Sequence, residues 1–290
     1  MSVVSVLKSK ALRWVLISLA GLIVLGIGAL YAASEWVLTT TYEAPSITLR
    51  AQLPGSVERG QHLASVVGCV GCHSTHGRIL FEAPFVGRVV TPDLARVAPT
   101  YSDAELVTVI RTGIKRDHTS TVIMPANAFS SMADTDVADI IAWLRTLKPD
   151  SETVREHTSV GPMGHVAVLS GLLRISARVP RDPNPPVSAP SEPAAHGEYL
   201  VKVVCGDCHE LDRQHEVEPG VFAPPLREMV QAYDLEQLTH LLHTGKGAGE
   251  RELKIMSEAV REGMHEINDD EIAAIHTYLT GTTAGATASN

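Results

Sequence analysis

The chain has 290 residues, enough for about two domains of ordinary size. Its 24 Lys and Arg stand against 33 Asp and Glu, a net charge of -9, which excludes the basic footprint of a nucleic-acid binder. Aromatic residues make up 4%, few for a large core built from side chains alone, and four cysteines in this length exclude a disulfide scaffold.

Lys8, Lys10 and Arg13 precede an uncharged apolar run from Trp14 to Ala33. Twenty such residues make a helix of about 30 Å, the thickness of a hydrocarbon core. A cleaved signal peptide has an apolar region of only about 7–15 residues and an A-x-A-like end. Here the run is longer and closes on Leu30-Tyr31-Ala32-Ala33-Ser34, so residues 1–33 are expected to be a retained anchor. The basic flank keeps the N-terminus on the cytoplasmic side and places the rest of the chain outside, in a bacterium the periplasm.

Two pentapeptides of one pattern follow, Cys69-Val70-Gly71-Cys72-His73 and Cys205-Gly206-Asp207-Cys208-His209. Their surroundings repeat too. Gly60-Gln61-His62-Leu63 matches Gly197-Glu198-Tyr199-Leu200 ahead of the cysteines, and Val137, Ile140, Trp143 and Leu144 match Ile272, Ile275, Tyr278 and Leu279 behind them. Both later sets have the rhythm of an amphipathic helix. Asn268 with Glu271 reads as a capping box for the second, while Asp134 and Asp136 give the first an acidic start. The spacing predicts two duplicated domains, 50–149 and 195–282, joined by a connection over 150–194. Six prolines between Pro180 and Pro193 make that connection extended and semi-rigid. The apolar stretch Val166–Val179 is too short to span a membrane, so it packs between domains or lies on a lipid surface.

Three chemistries use a C-x-x-C pair. A thioredoxin-like redox motif needs a βαβ context, and none is visible. A structural zinc needs four ligands, and Cys69, Cys72 and His73 are crowded for one tetrahedron with no clear fourth. The remaining reading is covalent haem c, whose signal is C-x-x-C-H. Each cysteine pair, Cys69 with Cys72 and Cys205 with Cys208, then bonds to the porphyrin edge. His73 and His209 reach the two irons. Two haem c groups are therefore expected.

On these residues each unit resembles a class I c-type cytochrome domain. The pair is similar to the membrane-anchored diheme cytochromes that serve as electron-transfer subunits of periplasmic dehydrogenases. Thr91-Pro92-Asp93 with Tyr101–Gly113, and Ala223-Pro224-Pro225-Leu226 with Leu235–Gly245, resemble the family's loop-and-helix segment. The resemblance implies an all-α fold, an N-terminal transmembrane helix followed by two tandem domains. It also implies that the first and last helices of each unit cross where Gly60 meets Trp143 and Gly197 meets Tyr278.

The sixth ligand separates electron transfer from other haem chemistry, since a closed His/Met iron is an electron-transfer site. Met124 and Met132 follow the first motif. Met124 precedes Pro125, which favours an extended loop, and the family takes its axial Met from a Met-Pro loop. Met132 suits an apolar staple. In the second unit Met256 and Met264 compete. Met256 lies 51 residues after Cys205, near the 55 between Cys69 and Met124, and Met264 takes the place of Phe129 relative to the last helix. Met124 and Met256 are thus the expected ligands, with His118 and His243 as bis-His alternatives. Gly245-Lys246-Gly247-Ala248-Gly249 lacks P-loop spacing and reads as a turn.

Residues 50–149 carry 10 basic and 9 acidic side chains, residues 192–280 carry 7 and 18. The acidic half is a solvated surface or a docking face for a basic partner. The expected function is an electron carrier, not an enzyme, relaying between a periplasmic dehydrogenase or quinol-side donor and a soluble cytochrome or terminal oxidase. The rival is a diheme peroxidase of the bacterial type, against which the Met-Pro loop argues.

Overall fold

A computed structural model describes residues 3–281 except 52, 75–76, 150–155 and 219; the side chains of 3–9 and 218 are outside the description. The predicted boundaries at 1, 150 and 282 therefore lie outside the described residues. Helix α1, Val3–Thr39, continues past Ala33 because Trp36, Val37 and Leu38 keep the apolar pattern. It ends in a run of threonines, where the Thr39 hydroxyl bonds back to the Glu35 carbonyl at 2.7 Å and satisfies a last-turn acceptor.

The first half is built from α2 (Val57–Val66), α3 (Cys69–His73), β1 (Arg78–Ala83), β2 (Gly87–Thr91), α4 (Leu94–Val97), α5 (Asp103–Thr112), α6 (Ala126–Phe129) and α7 (Asp134–Thr146). Then come β3 (Ser159–Val160) and α8 (Pro162–Ser170). The second half holds α9 (Pro193–Leu200), β4 (His215–Glu218), β5 (Val221–Ala223), α10 (Leu226–Gln231), α11 (Leu235–Thr244), β6 (Lys246–Gly247), β7 (Arg251–Glu252), α12 (Ile255–Arg261) and α13 (Asp269–Thr280). The all-α expectation is corrected here, for among the described residues the helices are joined by three small antiparallel sheets, β1-β2-β3, β4-β5 and β6-β7. Their strands are short, and β1 carries a bulge between Ile79 and Phe81, so no long alternating pattern announced them. The glycine-rich stretch after α11 is part of the β6-β7 hairpin.

Side chains cap the helices that open on polar residues. Ser102 with Glu105, Asp234 with Gln237 and Asn268 with Glu271 form full capping boxes on α5, α11 and α13. Helix α7 starts differently. Its Asp134 and Asp136 are buried and hold Arg50, Arg111 and Arg59 in ion pairs, while the freed first N–H groups, of Asp134 and Thr135, donate to the carbonyls of Pro186 and Val187 at 3.0 Å. The proline-rich connection is thus a strap tied across the end of α7. Proline lacks an N–H but keeps its carbonyl, which suits it to meet orphan helix donors.

The helix pairs α2 with α7 and α9 with α13 pack alike. A Cβ on Gly60 would fall 1.9 Å from the Asp139 carbonyl oxygen and 2.9 Å from Trp143 Cβ, and one on Gly197 would fall 1.9 Å from the Ala274 oxygen and 2.9 Å from Tyr278 Cβ. No side chain fits between backbones this close. Gly60→Ala and Gly197→Ala should each cost more than the roughly 1–3 kcal/mol of ordinary overpacking, because the obstacle is backbone. Denaturant midpoints measure this, and a loss under about 1 kcal/mol would mean the crossings can open freely.

One apolar core runs through both halves, from Leu63, Phe129 and Ile141 to Leu200, Leu242 and Ile272. The seam between them holds polar contacts, some of them fully buried. The Tyr199 hydroxyl donates to Asp136 at 2.6 Å and accepts from the Ala133 N–H at 2.9 Å. His62 Nε2 meets the Glu271 carboxylate at 2.9 Å. That hydrogen bond raises the His62 pKa against the opposing effect of burial. Burial alone would raise Glu271, but bonds from His62 and the Asn268 N–H prevail and hold it low. The histidine contribution is complete below its ordinary pKa and fades as pH rises through the raised folded value. The carboxylate contribution fades as pH falls through its lowered one. The pair should therefore stabilise the seam most between about pH 5 and 6.5. His62→Gln should lose stability against the wild type in that window and converge with it above neutrality; a constant difference across pH would contradict the pairing.

Candidate haem-binding sites

The two pentapeptides are reached by different routes. Gly68, at φ 85°, breaks the chain between α2 and α3, so Cys69 opens a short helix. In the second half α9 runs on through one π-helical turn, Val201–Cys205, to its first cysteine. Both end with the same bond. His73 Nδ1 donates to the Pro92 carbonyl at 3.0 Å, and His209 Nδ1 donates to the Pro224 carbonyl at 3.1 Å. A carbonyl only accepts, so each Nδ1 carries the proton and each Nε2 keeps a lone pair. Burial lowers both imidazole pKa values, partly offset by these bonds, which favours the neutral, ligating form.

The loops that supply the two prolines are themselves fixed. Thr91 Oγ1 donates to the Cys72 carbonyl at 2.8 Å, and Asp93 caps α4 through the Ala95 and Arg96 N–H groups. In the second half the Leu226 and Arg227 N–H groups donate to the carbonyls of Glu210 and Leu211. The positions were visible in the sequence as matching loops. What the spacing did not reveal is that their carbonyls, not their side chains, act.

The thiols do not look like exchange cysteines. Burial pushes Cys69 and Cys205 up to about 12 and Cys208 up to about 11, and raises Cys72 as well. Thiol–disulfide exchange wants a depressed pKa. Among the described residues no group of three or more His, Cys, Asp and Glu converges as a metal site. A zinc tetrahedron therefore has no ligand set there.

In the second half Cys205, Cys208, His209 and Met256 line one cavity of about 630 Å³, walled by apolar side chains such as Leu226, Leu241 and Phe222. That volume lies within the range of cofactor pockets. The donor set, two thiols, an oriented imidazole and a thioether around an apolar cleft, fits haem c. Met264 lines the same cavity from a short 3₁₀ turn, Met264–Glu266, and is half-buried, whereas Phe129, its sequence counterpart, is fully buried. In the first half Met124 is half-buried against the core. Its loop is clamped by the segment after α8. The Ile123 N–H donates to the Arg174 carbonyl at 2.8 Å, and Ser176 Oγ donates to the Met124 carbonyl at 2.8 Å. Met132 is buried in the core, as a staple would be. His118 and His243 are exposed and engage the carbonyls of Tyr42 and Ile267.

Both pentapeptides lie at the seam, and each touches the opposite half. Arg78 donates to the Gly71 carbonyl at 2.6 Å and pairs with Glu262 at 2.8 Å. A Cβ on Gly71 would fall 2.8 Å from the Glu262 carbonyl, so the first motif rests directly on the turn after α12. Reciprocally, Arg174 pairs with Asp207 inside the second motif at 2.7 Å and reaches the Ile123 carbonyl at 3.3 Å. One arginine thus joins the Met124 loop to the second pentapeptide. The two ion pairs join residues 184 and 33 positions apart, beyond any spacing argument.

Residues 57–148 match the Cytochrome c family, a segment running from the start of α2 to just past α7. The chain is 25% identical over 262 residues to the fructose dehydrogenase cytochrome subunit of Gluconobacter japonicus, covering 80% of this chain and 53% of that protein. It is 24% identical over 264 residues to the gluconate 2-dehydrogenase cytochrome c subunit of Pantoea cypripedii, covering 77% and 58%. A diheme cytochrome c-type protein of Cereibacter sphaeroides is 27% identical over 195 residues, covering 61% and 64%. The chain therefore spans between about half and two thirds of the length of these relatives.

Proposed function

We propose that the chain, a c-type cytochrome by its match over residues 57–148 and by its relatives, holds two haem c groups and passes single electrons from a dehydrogenase or quinol-side donor to a downstream cytochrome or oxidase. The observation that carries the reading is the twice-repeated bond from a motif histidine Nδ1 to a proline carbonyl, which aims two Nε2 lone pairs. Haem c, when bound, supplies a one-electron iron couple.

The residues divide the remaining work. Cys69 with Cys72, and Cys205 with Cys208, would hold the groups covalently. His73 and His209, with Met124 and Met256, would hold the irons. With imidazole and thioether as its ligands, haem c would supply a one-electron couple of raised potential, suited to electron transfer. The apolar wall of the second cavity would limit the water around a bound haem and with it the solvent reorganisation of a one-electron step. The reciprocal contacts at the seam hold the two motifs in fixed relation, as a relay between them requires.

Helix α1 supports placement at a membrane. Lys10–Thr39 has a mean hydropathy of 2.4 in its most apolar window and no burial there. The last turns of the same helix are packed into the fold, with Ser34 and Val37 buried, as befits a retained anchor. With Lys10 and Arg13 at the inner end, the folded part lies on the periplasmic face of the inner membrane.

The second half, with 18 acidic against 7 basic residues over 192–280, is the proposed docking side for a basic carrier. Electron transfer from the reduced full chain to a basic soluble cytochrome, followed by stopped flow, should slow about tenfold or more from low to high salt. A rate independent of ionic strength would remove the docking role, and failure to reduce any acceptor would remove the relay itself.

A further inference from the structure

We infer that α8 is a second membrane contact, an in-plane apolar element that seats the folded part on the outer lipid boundary; this rests on the reading of α1 as a spanning helix. Trp14 and Trp36 are each 69% exposed on α1, and 22 residues of helix separate them by about 33 Å, the span between the two aromatic interfaces of a bilayer. Trp36 therefore marks the outer interface. Helix α8 packs against α1 at that level. The His165 ring lies against Tyr31, tilted by 38° with centroids 4.0 Å apart, and Val168 joins Val37 and Ile175 in a small separate core.

The opposite side of α8 is apolar and uncovered. No charged residue occurs from 157 to 173. Met163, Val166 and Leu169 on α8 and Leu172 just beyond it are all exposed, Leu172 by 63%. The β1-β2 turn extends the same surface, because Phe85 at its tip is 75% exposed and its carbonyl accepts the Met163 N–H at 2.8 Å. A Cβ on Gly164 would fall 2.1 Å from the Val86 carbonyl, so helix and turn are locked together. A large apolar patch on a water-facing surface needs an occupant. Its continuity with α1 at the depth of Trp36 identifies that occupant as lipid at the headgroup boundary, where in-plane helices bury one face.

The test uses the full-length protein with both haems, reduced so that the irons are diamagnetic, in phosphatidylcholine vesicles. The four native cysteines are consumed as thioethers under the proposed function, which leaves single introduced thiols for nitroxide labelling. Labels at Leu169→Cys, at Leu22→Cys in α1 and at the exposed Glu236→Cys in α11 are compared for collision with oxygen and with a water-soluble nickel complex. Leu169 should show an oxygen-to-nickel ratio several-fold above that at Glu236, approaching that at Leu22. A lipid ratio at Leu22 with an aqueous ratio at Leu169 overturns the inference alone. An aqueous ratio at Leu22 overturns the spanning helix beneath it. Protection of Leu169 from both probes would mean that protein, not lipid, covers α8, and would also overturn the inference.

Discussion

Replacing both cysteines of one motif should leave a chain with a single covalent haem and one half that no longer holds its fold. For Cys205→Ser with Cys208→Ser, the cavity at stake measures about 630 Å³. Without its group the apolar wall of this cleft faces water, and the lost burial draws on a domain stability of only about 5–15 kcal/mol. The shortage of aromatic side chains has the same origin, since the prosthetic group is part of the interior. Limited proteolysis should then cut within residues 195–281 while the first half, still carrying its haem, resists. Cys69→Ser with Cys72→Ser should reverse the pattern. The seam shares one core between the halves, so partial loosening of the neighbour is expected, but not equal loss. Wild-type resistance throughout either variant would show that the cysteines hold nothing the fold depends on.

The second large effect concerns the sixth ligand in the second half. Met256→Ala should abolish the sulfur-to-iron charge-transfer band of one haem and lower its potential by roughly 0.2 V, a fraction of the about 0.8 V that axial ligands command. Met264→Ala should keep the band and cost stability near the lower end of the roughly 2–5 kcal/mol for a core methionine, because Met264 is only half-buried. Both side chains line the same cavity, so spacing and geometry agree on a pair of candidates and chemistry must choose. Loss of the band in Met264→Ala with retention in Met256→Ala would reverse the assignment.

The sequence made the local features readable and the distant ones opaque. The Asn268–Glu271 capping box follows from a short spacing and the Gly60 and Gly197 crossings from the family resemblance, and both have the expected geometry. Asp134 and Asp136 were read as partners of a helix dipole. The fold instead buries them under arginines and Tyr199, contacts made across 23 to 84 residues. The role of Arg174 was equally hidden, since an arginine after an apolar stretch looks like a solvated residue until Ile123 and Asp207 are placed beside it. The small sheets escaped because strands of two to six residues carry too little alternation to be distinguished from loop. The apolar stretch Val166–Val179 reads as a segment packed between domains or lying on lipid, whereas α8 packs on α1 and joins a small core apart from the one the two halves share.

The account stands most directly on the number of haem groups bound through the two motifs. Intact mass of the full chain, matured in a host that attaches haem c and measured after denaturation, reports only covalent groups. The predicted result is the polypeptide plus two haems, falling to one in either double-cysteine variant. A wild-type mass with one haem or none would contradict it.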